Sequence, residues 1–225
     1  VAATFVTGTG TGVGKTFVAA ALLRHFRAGG QAVDAIKPVA SGFDPASPAS
    51  SDTAMLLGAM GRQPTADELA RVSPWRFAAP LSPDLAARAE GRAIDFKALI
   101  DHCRNAEAST RGLLLIEGVG GIMVPLDGAH TVLDWMSALR VPVLLVSGSY
   151  LGTISHTLTA LHVLAQRNLD IAGVVVSESE GPGATLDDTV ATIARFAAPL
   201  EVIALPRLGP GGGEHPAIAQ IAALL

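Results

Sequence analysis

Residues Gly8 to Thr16 read GTGTGVGKT, and their setting decides the fold. An apolar, β-rich run at Ala3 to Thr7 leads into them, and apolar residues three or four apart, Lys15 to Ala28, lead out as a helix. A Gly-rich turn between a strand and a helix aims consecutive backbone N–H groups and the helix N-terminus at an anion. Lys15 then reaches the terminal phosphates of a nucleotide, and the Thr16 hydroxyl can ligate Mg2+. Five residues separate Gly8 from Gly14, one more than the usual P-loop pattern allows. A structural Gly-rich turn with a chance Lys-Thr is the bland alternative; the strand before it and the helix after it argue for phosphate binding.

Outward from this motif, further strand-like runs occur at Ala32 to Pro38, Gly112 to Glu117, Pro142 to Val146, Ala172 to Val176 and Leu200 to Ala204. Helical patterns fall at Phe96 to Glu107, Thr153 to Arg167 and Asp187 to Phe196. Such alternation predicts an α/β fold, a mostly parallel central sheet with helices on both faces, in one domain over residues 1–225. Ligands then collect beyond the carboxyl ends of the strands. Ser41 to Ser51 (SGFDPASPASS) is expected to be a long surface loop, and Gly209 to Gly213 a joint before a last helix, Pro216 to Leu224.

Nearly half the residues are hydrophobic and 16% charged, enough apolar material for a sheet covered on both sides. A net charge of −4 lacks the basic excess that draws nucleic acid. Apolar runs fall short of the roughly 20 residues that span a bilayer, so no membrane anchor is expected. Val1 to Thr7 has no charged n-region and is read as the start of mature protein. The single cysteine, Cys103, permits no internal disulfide and fits a reducing cytoplasm.

Lys37, at the end of the second strand on the side of Val33 and Ala35, is the next candidate. An ammonium beside an apolar sheet needs an anion or a route to solvent. With Lys15 it is expected on adjacent strand tips, converging on one anionic pocket with a divalent ion. Ser41 brings a hydroxyl to the same region. Glu117 ends an apolar strand, a place suited to a Mg2+-binding carboxylate, and the glycines after it, Gly120 included, allow close backbone approach. Asp52 reads equally as a metal ligand or as the N-cap of a helix starting near Thr53. His102 and His162 read as surface or interface residues, with His156 the one to watch, and Trp75 and Trp135 as core or contact residues.

Taken together, FVTGTGTGVGKT, IKPVASG, the pair Ser51-Asp52, SPWRFAAPLSP, IEGVGG, VPVLLVSGSYLGTISH, IAGVVV and LPRL resemble the dethiobiotin synthetase family, in order and spacing, over most of the chain. The resemblance implies a homodimeric, Mg2+- and ATP-dependent enzyme closing a ureido ring on 7,8-diaminononanoate with CO2. It implies Thr16, Asp52 and Glu117 as Mg2+ ligands, and Thr11, Lys15, Lys37 and Ser41 at the carbamate and the transferred phosphoryl group. Gly10, Gly12, Val13, Gly14, Lys15, Thr16, Phe17, Glu117, Gly120, Ser177, Pro206, Arg207 and Leu208 would face the nucleotide. Pro80 and Ser82 would border the aliphatic chain of the diamine. Backbone amides at Gly152, Thr153, Ile154 and Ser155, from the other subunit, would hold its carboxylate.

Three positions depart from the family pattern. Gly12 stands where a relative can carry a carboxylate, Ser177 where an Asn reads adenine, and Ser155 where another Asn is expected. Cobyrinate- or cobyrate-type amidoligases are one rival reading, but they add a glutamine-hydrolysing domain for which no residues remain. Partitioning-type nucleotide switches are another; they carry an extra lysine early in the phosphate loop, and none precedes Lys15 here.

Overall fold

The computed structural model describes residues 2–181, 183–209 and 215–225, so the joint expected at Gly209 to Gly213 lies outside the described residues beyond Gly209. In chain order the elements are β1 (Ala2–Gly8), α1 (Lys15–Ala28), β2 (Val33–Ile36), β3 (Val39–Ser41), α2 (Asp52–Ala59), α3 (Ala66–Val72), β4 (Trp75–Phe77), α4 (Pro83–Ala89), α5 (Phe96–Ser109), β5 (Leu113–Glu117), α6 (Val132–Leu139), β6 (Val143–Gly148), α7 (Thr153–Gln166), β7 (Ile171–Ser177), α8 (Leu186–Ala197), β8 (Val202–Leu205) and α9 (Pro216–Ala222). Six strands form one sheet in the order β2-β5-β1-β6-β7-β8, and each pairing in it is parallel. Parallel strands need crossovers, and these place helices on both faces.

Side chains alternate between two cores as the pleat requires. Phe5, Leu114, Ile116, Leu145 and Val176 face one, packed with Leu99 and Cys103 of α5, Trp135 of α6 and Leu164 of α7. Val6, Leu115, Leu144 and Val175 face the other, against Val18 and Leu22 of α1, Leu56 of α2 and Ile218 of α9. Trp135 is fully buried and meets Phe5 edge-on at 4.9 Å between ring centroids, a contact that adds about 1 kcal/mol to the burial itself. Trp75 is half-buried, edge-on to His102. His162 is exposed.

The expected strand Ala32 to Pro38 is shorter than read. Ladder pairing with β5 ends at Ile36, opposite Ile116; Pro38 has no N–H to extend it, so Lys37 projects beyond the sheet. Nor are Lys15 and Lys37 on adjacent strand tips. β5 lies between β1 and β2, and its last residue, Glu117, stands between the two lysines. The loop expected over Ser41 to Ser51 begins inside β3 and contains a 3-10 turn at Pro48–Ser50. β3 and β4 form a separate two-stranded parallel ribbon of three-residue strands. Among the described residues no helix is long and apolar enough to cross a membrane.

Cys103 is fully buried, and burial pushes its thiol up to about 12. At pH 8 the thiolate fraction is then on the order of 10⁻⁴, so a thiol reagent should label the native protein at least ~10²-fold more slowly than the denatured chain. Rapid stoichiometric labelling of native protein would contradict this packing.

Candidate active site

The phosphate loop is shaped by left-handed backbone at Gly12 (φ 74°) and Gly14 (φ 95°), conformations that cost a side chain with a Cβ roughly 1–2 kcal/mol. Gly14 is the N-cap of α1, so the helix opens directly behind the loop. Thr9 N–H donates to the Val146 carbonyl (3.0 Å), tying the loop to β6. Lys15 folds back along it, its Nζ donating to the Gly10 carbonyl at 2.7 Å. That ammonium is buried, and burial depresses its pKa from 10.5 to about 8; Glu117 and Asp52 oppose the shift while Lys37 adds to it.

Beside the loop a charged cluster closes on itself. Lys37 Nζ donates to Glu117 Oε1 at 2.8 Å, to Asp52 Oδ2, and at 3.3 Å to Thr16 Oγ1. Thr16 Oγ1 in turn donates to Glu117 Oε1 at 2.6 Å. Lys37 is 6% and Glu117 1% exposed, so neither charge is tolerable alone in such surroundings. Burial works against the Lys37 ammonium, but Glu117 and then Asp52 outweigh it and its pKa rises. Burial likewise opposes the Asp52 carboxylate, yet Lys37 holds it below the usual carboxylate range. Asp52 is not the helix cap: Ser51 is, its Oγ accepting from Ala54 N–H. As the first residue of α2, Asp52 keeps its carboxylate free for Lys37.

Two buried oxygens here lack any hydrogen-bond partner, Glu117 Oε2 and Ser41 Oγ. Both residues line the larger of two clefts at the loop, where an unpartnered oxygen can take a partner from a ligand. Thr16, Asp52 and Glu117, already gathered around one cation, offer hard oxygen donors of the kind Mg2+ takes. Among the described residues no three His, Cys, Asp or Glu side chains gather as a metal cage. A divalent ion would thus draw on one hydroxyl, two carboxylates and oxygens of its substrates, the manner in which Mg2+ binds with phosphates.

Two clefts meet at the loop. One, of about 700 Å³, is lined by Thr11, Lys15, Thr16, Lys37, Ser41, Asp52, Pro80, Ser82, Glu117 and Gly120. The other, of about 460 Å³, is lined by Val13, Ser177, Pro206, Arg207 and Leu208. Gly12, Gly14 and Phe17 border both, so an elongated ligand can lie across the loop with one end in each. Arg207 fixes the smaller cleft: its backbone N–H donates to Glu178 Oε2 at 2.8 Å, and its guanidinium meets Glu180 at 2.7 Å. Gly10 lines neither cleft and serves through its carbonyl on Lys15.

The segment Gly152, Thr153, Ile154 and Ser155 reaches neither of these clefts within this chain. Thr153 is buried, its hydroxyl donating to the Gly148 carbonyl at 2.7 Å, whereas Gly152 and Ser155 are exposed. His156 bonds Tyr150 Oη at 2.9 Å. Sequence reasoning missed Met55, Leu81 and Val119 on the larger cleft and Glu178, Ser179 and Glu180 on the smaller. Met55 was legible in principle, three residues after Asp52 on one helix face; Leu81 simply lies between Pro80 and Ser82.

The chain matches a family model described as an AAA domain over residues 2–210. Solved structures with similar folds include the MinC:MinD cell division protein complex of Aquifex aeolicus (TM-score 0.58, 14% identity, covering 100% of this chain and 93% of that one). Another is the signal recognition particle receptor FtsY from Elizabethkingia anophelis (TM-score 0.52, 14% identity, 99% and 65%). At such identities the likeness is one of fold. Sequence relatives reach further. ATP-dependent dethiobiotin synthetase BioD of Caulobacter vibrioides is 51% identical over 91% of this chain and 92% of its own. The protein of that name from Methylobacterium nodulans is 49% identical over 95% of both, and that from Acidiphilium cryptum 52% identical over 78% and 79%. With half its residues shared along nearly the full length of both chains, and with a phosphate loop backed by a paired lysine and two carboxylates, the chain belongs to the family of ATP-dependent dethiobiotin synthetases.

Proposed function

We propose that this ATP-dependent ligase forms the ureido ring of dethiobiotin from 7,8-diaminononanoate and CO2, with Mg2+ held by Thr16, Asp52 and Glu117. The observation that carries the reading is the convergence of Lys15 and Lys37 on one cleft that Asp52 and Glu117 also line, both carboxylates bonded to Lys37. One amine of the diamine adds to CO2 and loses a proton, giving a carbamate. A carbamate oxygen attacks the γ-phosphorus, the bond to the β-phosphate oxygen breaks, and ADP leaves. The second amine then attacks the carbonyl carbon, loses its proton, and expels phosphate as the ring closes. None of these steps requires a protein nucleophile; each requires alignment and neutralisation of charge on phosphoryl oxygens.

Lys15 and the loop amides hold the β- and γ-phosphates, and Lys37 and Ser41 face the carbamate and the phosphoryl group in transfer. Bound Mg2+ would neutralise charge on the phosphate oxygens. Thr11, exposed at the tip of the loop, completes the polar rim. Pro80, with Leu81 and Met55, forms an apolar flank suited to the methylene chain of the diamine, and Ser82 borders it. The nucleotide base lies in the smaller cleft against Ser177, Pro206, Arg207 and Leu208. There the Ser177 hydroxyl lacks the two-sided contact of an amide, which supports relaxed base selection.

We further infer a homodimer in which Gly152 to Ser155 of a second copy receives the substrate carboxylate. Two observations support it: these amides open α7 yet reach neither cleft of their own chain, and Leu151, directly before them, is 88% exposed.

Incubation with ATP, Mg2+, bicarbonate and the diamine should yield a cyclic urea by mass, with ADP and phosphate in equal amounts; ATP hydrolysis indifferent to the diamine would overturn the reading. Replacing Lys37 by Ala should lower kcat by ~10² to 10³, since charge that grows in the transition state loses its partner; unchanged turnover removes Lys37 from the mechanism. Lys15 has a folded pKa of about 8, so the free protein loses this ammonium as pH rises past that value, while bound phosphates favour keeping it. Nucleotide affinity should therefore fall above about pH 8, with proton uptake on binding, measurable by calorimetry in buffers of different ionisation enthalpy. Proton release, or pH-independent affinity up to pH 10, would contradict it.

A further inference from the structure

We propose that Ser73, backed by Thr53, is a positioning residue for Lys37. The inference rests on the role given to Lys37 above and adds to it the device that fixes the lysine's backbone. Because the ladder stops at Ile36 and Pro38 offers no N–H, the peptide groups of Lys37 must find partners outside the sheet. They find them in one place, the end of α3. Lys37 N–H donates to the Val72 carbonyl at 3.0 Å, and the Lys37 carbonyl accepts from Ser73 Oγ at 2.5 Å.

A serine hydroxyl has one proton to give. Spent on the Lys37 carbonyl, it leaves Ser73 Oγ as an acceptor, so Thr53 Oγ1, 2.8 Å away, must be the donor of that contact. The order of donation runs from Thr53 through Ser73 to Lys37. Both residues are 0% exposed, so bulk solvent does not reach either hydroxyl. Thr53 directly follows Asp52 in the first turn of α2. The pair thereby ties the backbone that carries Lys37 to the backbone that carries Asp52, the two ends of one ion pair. Neither hydroxyl lines the substrate cleft; they act through what they hold.

A merely structural role, such as closing the end of α3, would alter stability and leave turnover per folded molecule unchanged. The test is therefore steady-state kinetics of the full chain, corrected for the nucleotide-binding fraction, on Ser73→Ala, Thr53→Val and Thr53→Ser. The Ser73→Ala change is also placed in a Lys37→Ala background. Ser73→Ala should lower kcat ~10-fold with KM for ATP within ~2-fold, because Lys15 and the loop still hold the nucleotide. Thr53→Val should lower kcat less, and Thr53→Ser should restore it. In the Lys37→Ala background Ser73→Ala should have no further effect on kcat, since the group it positions is gone. Equal losses with Lys37 present and absent, or no loss in either, would overturn the proposal. Should Ser73→Ala fail to fold, Thr53→Val against Thr53→Ser carries the comparison, and equal turnover in those two overturns it. Failure of the Lys37 role itself is distinguishable, because it shows as full turnover in Lys37→Ala alone.

Discussion

A buried ammonium has to be paired, and the pairing of Lys37 with Glu117 and Asp52 organises the rest of this site. Removing one carboxylate would leave the lysine only the other as partner, and removing the lysine would leave two carboxylates without their shared cation. The same electrostatic requirement that makes the cluster costly to assemble makes it receptive. A cation at the carboxylates or an anion at the ammonium each finds a preformed partner. Thr16 joins the arrangement through its hydroxyl on Glu117, so the phosphate loop and the cluster form one unit.

Sheet order is what brings these groups together. In the sequence of strands β2-β5-β1, the tip of β5 lies between the strand before Lys37 and the strand before the phosphate loop. Glu117 at that tip favours the charged form of both lysines, raising Lys37 and opposing the burial that lowers Lys15. Parallel strands also put all their carboxyl ends along one edge. The two clefts open there and share the backbone of Gly12 and Gly14, where the absence of side chains leaves the passage between them clear.

The long elements were legible because their periodicity is strong. The six sheet strands and helices α1, α5, α7, α8 and α9 fall within a few residues of their expected positions, and Glu117 was placed at a strand end from its apolar run alone. What escaped was short. β3 and β4 have three residues each, too few to show alternation, and α3 and α4 have seven. Their stability comes from packing rather than propensity. Asp52 was ambiguous for a related reason: cap and ligand are both local roles for an aspartate, and only the position of Ser51 one residue earlier separates them.

The sequence by itself determined the strand–loop–helix that binds phosphate, the alternation that builds a parallel sheet, and the residue types able to carry the chemistry, because local periodicity and glycine placement need no distant partner to be read. The tertiary structure alone decided that β5 enters between β1 and β2, that Asp52 reaches Lys37, and that Ser73 and Thr53 meet behind it. Those contacts join residues 15 to 80 positions apart, and their existence depends on which strands pair and which helices cover them, an outcome of burying apolar surface over the whole chain.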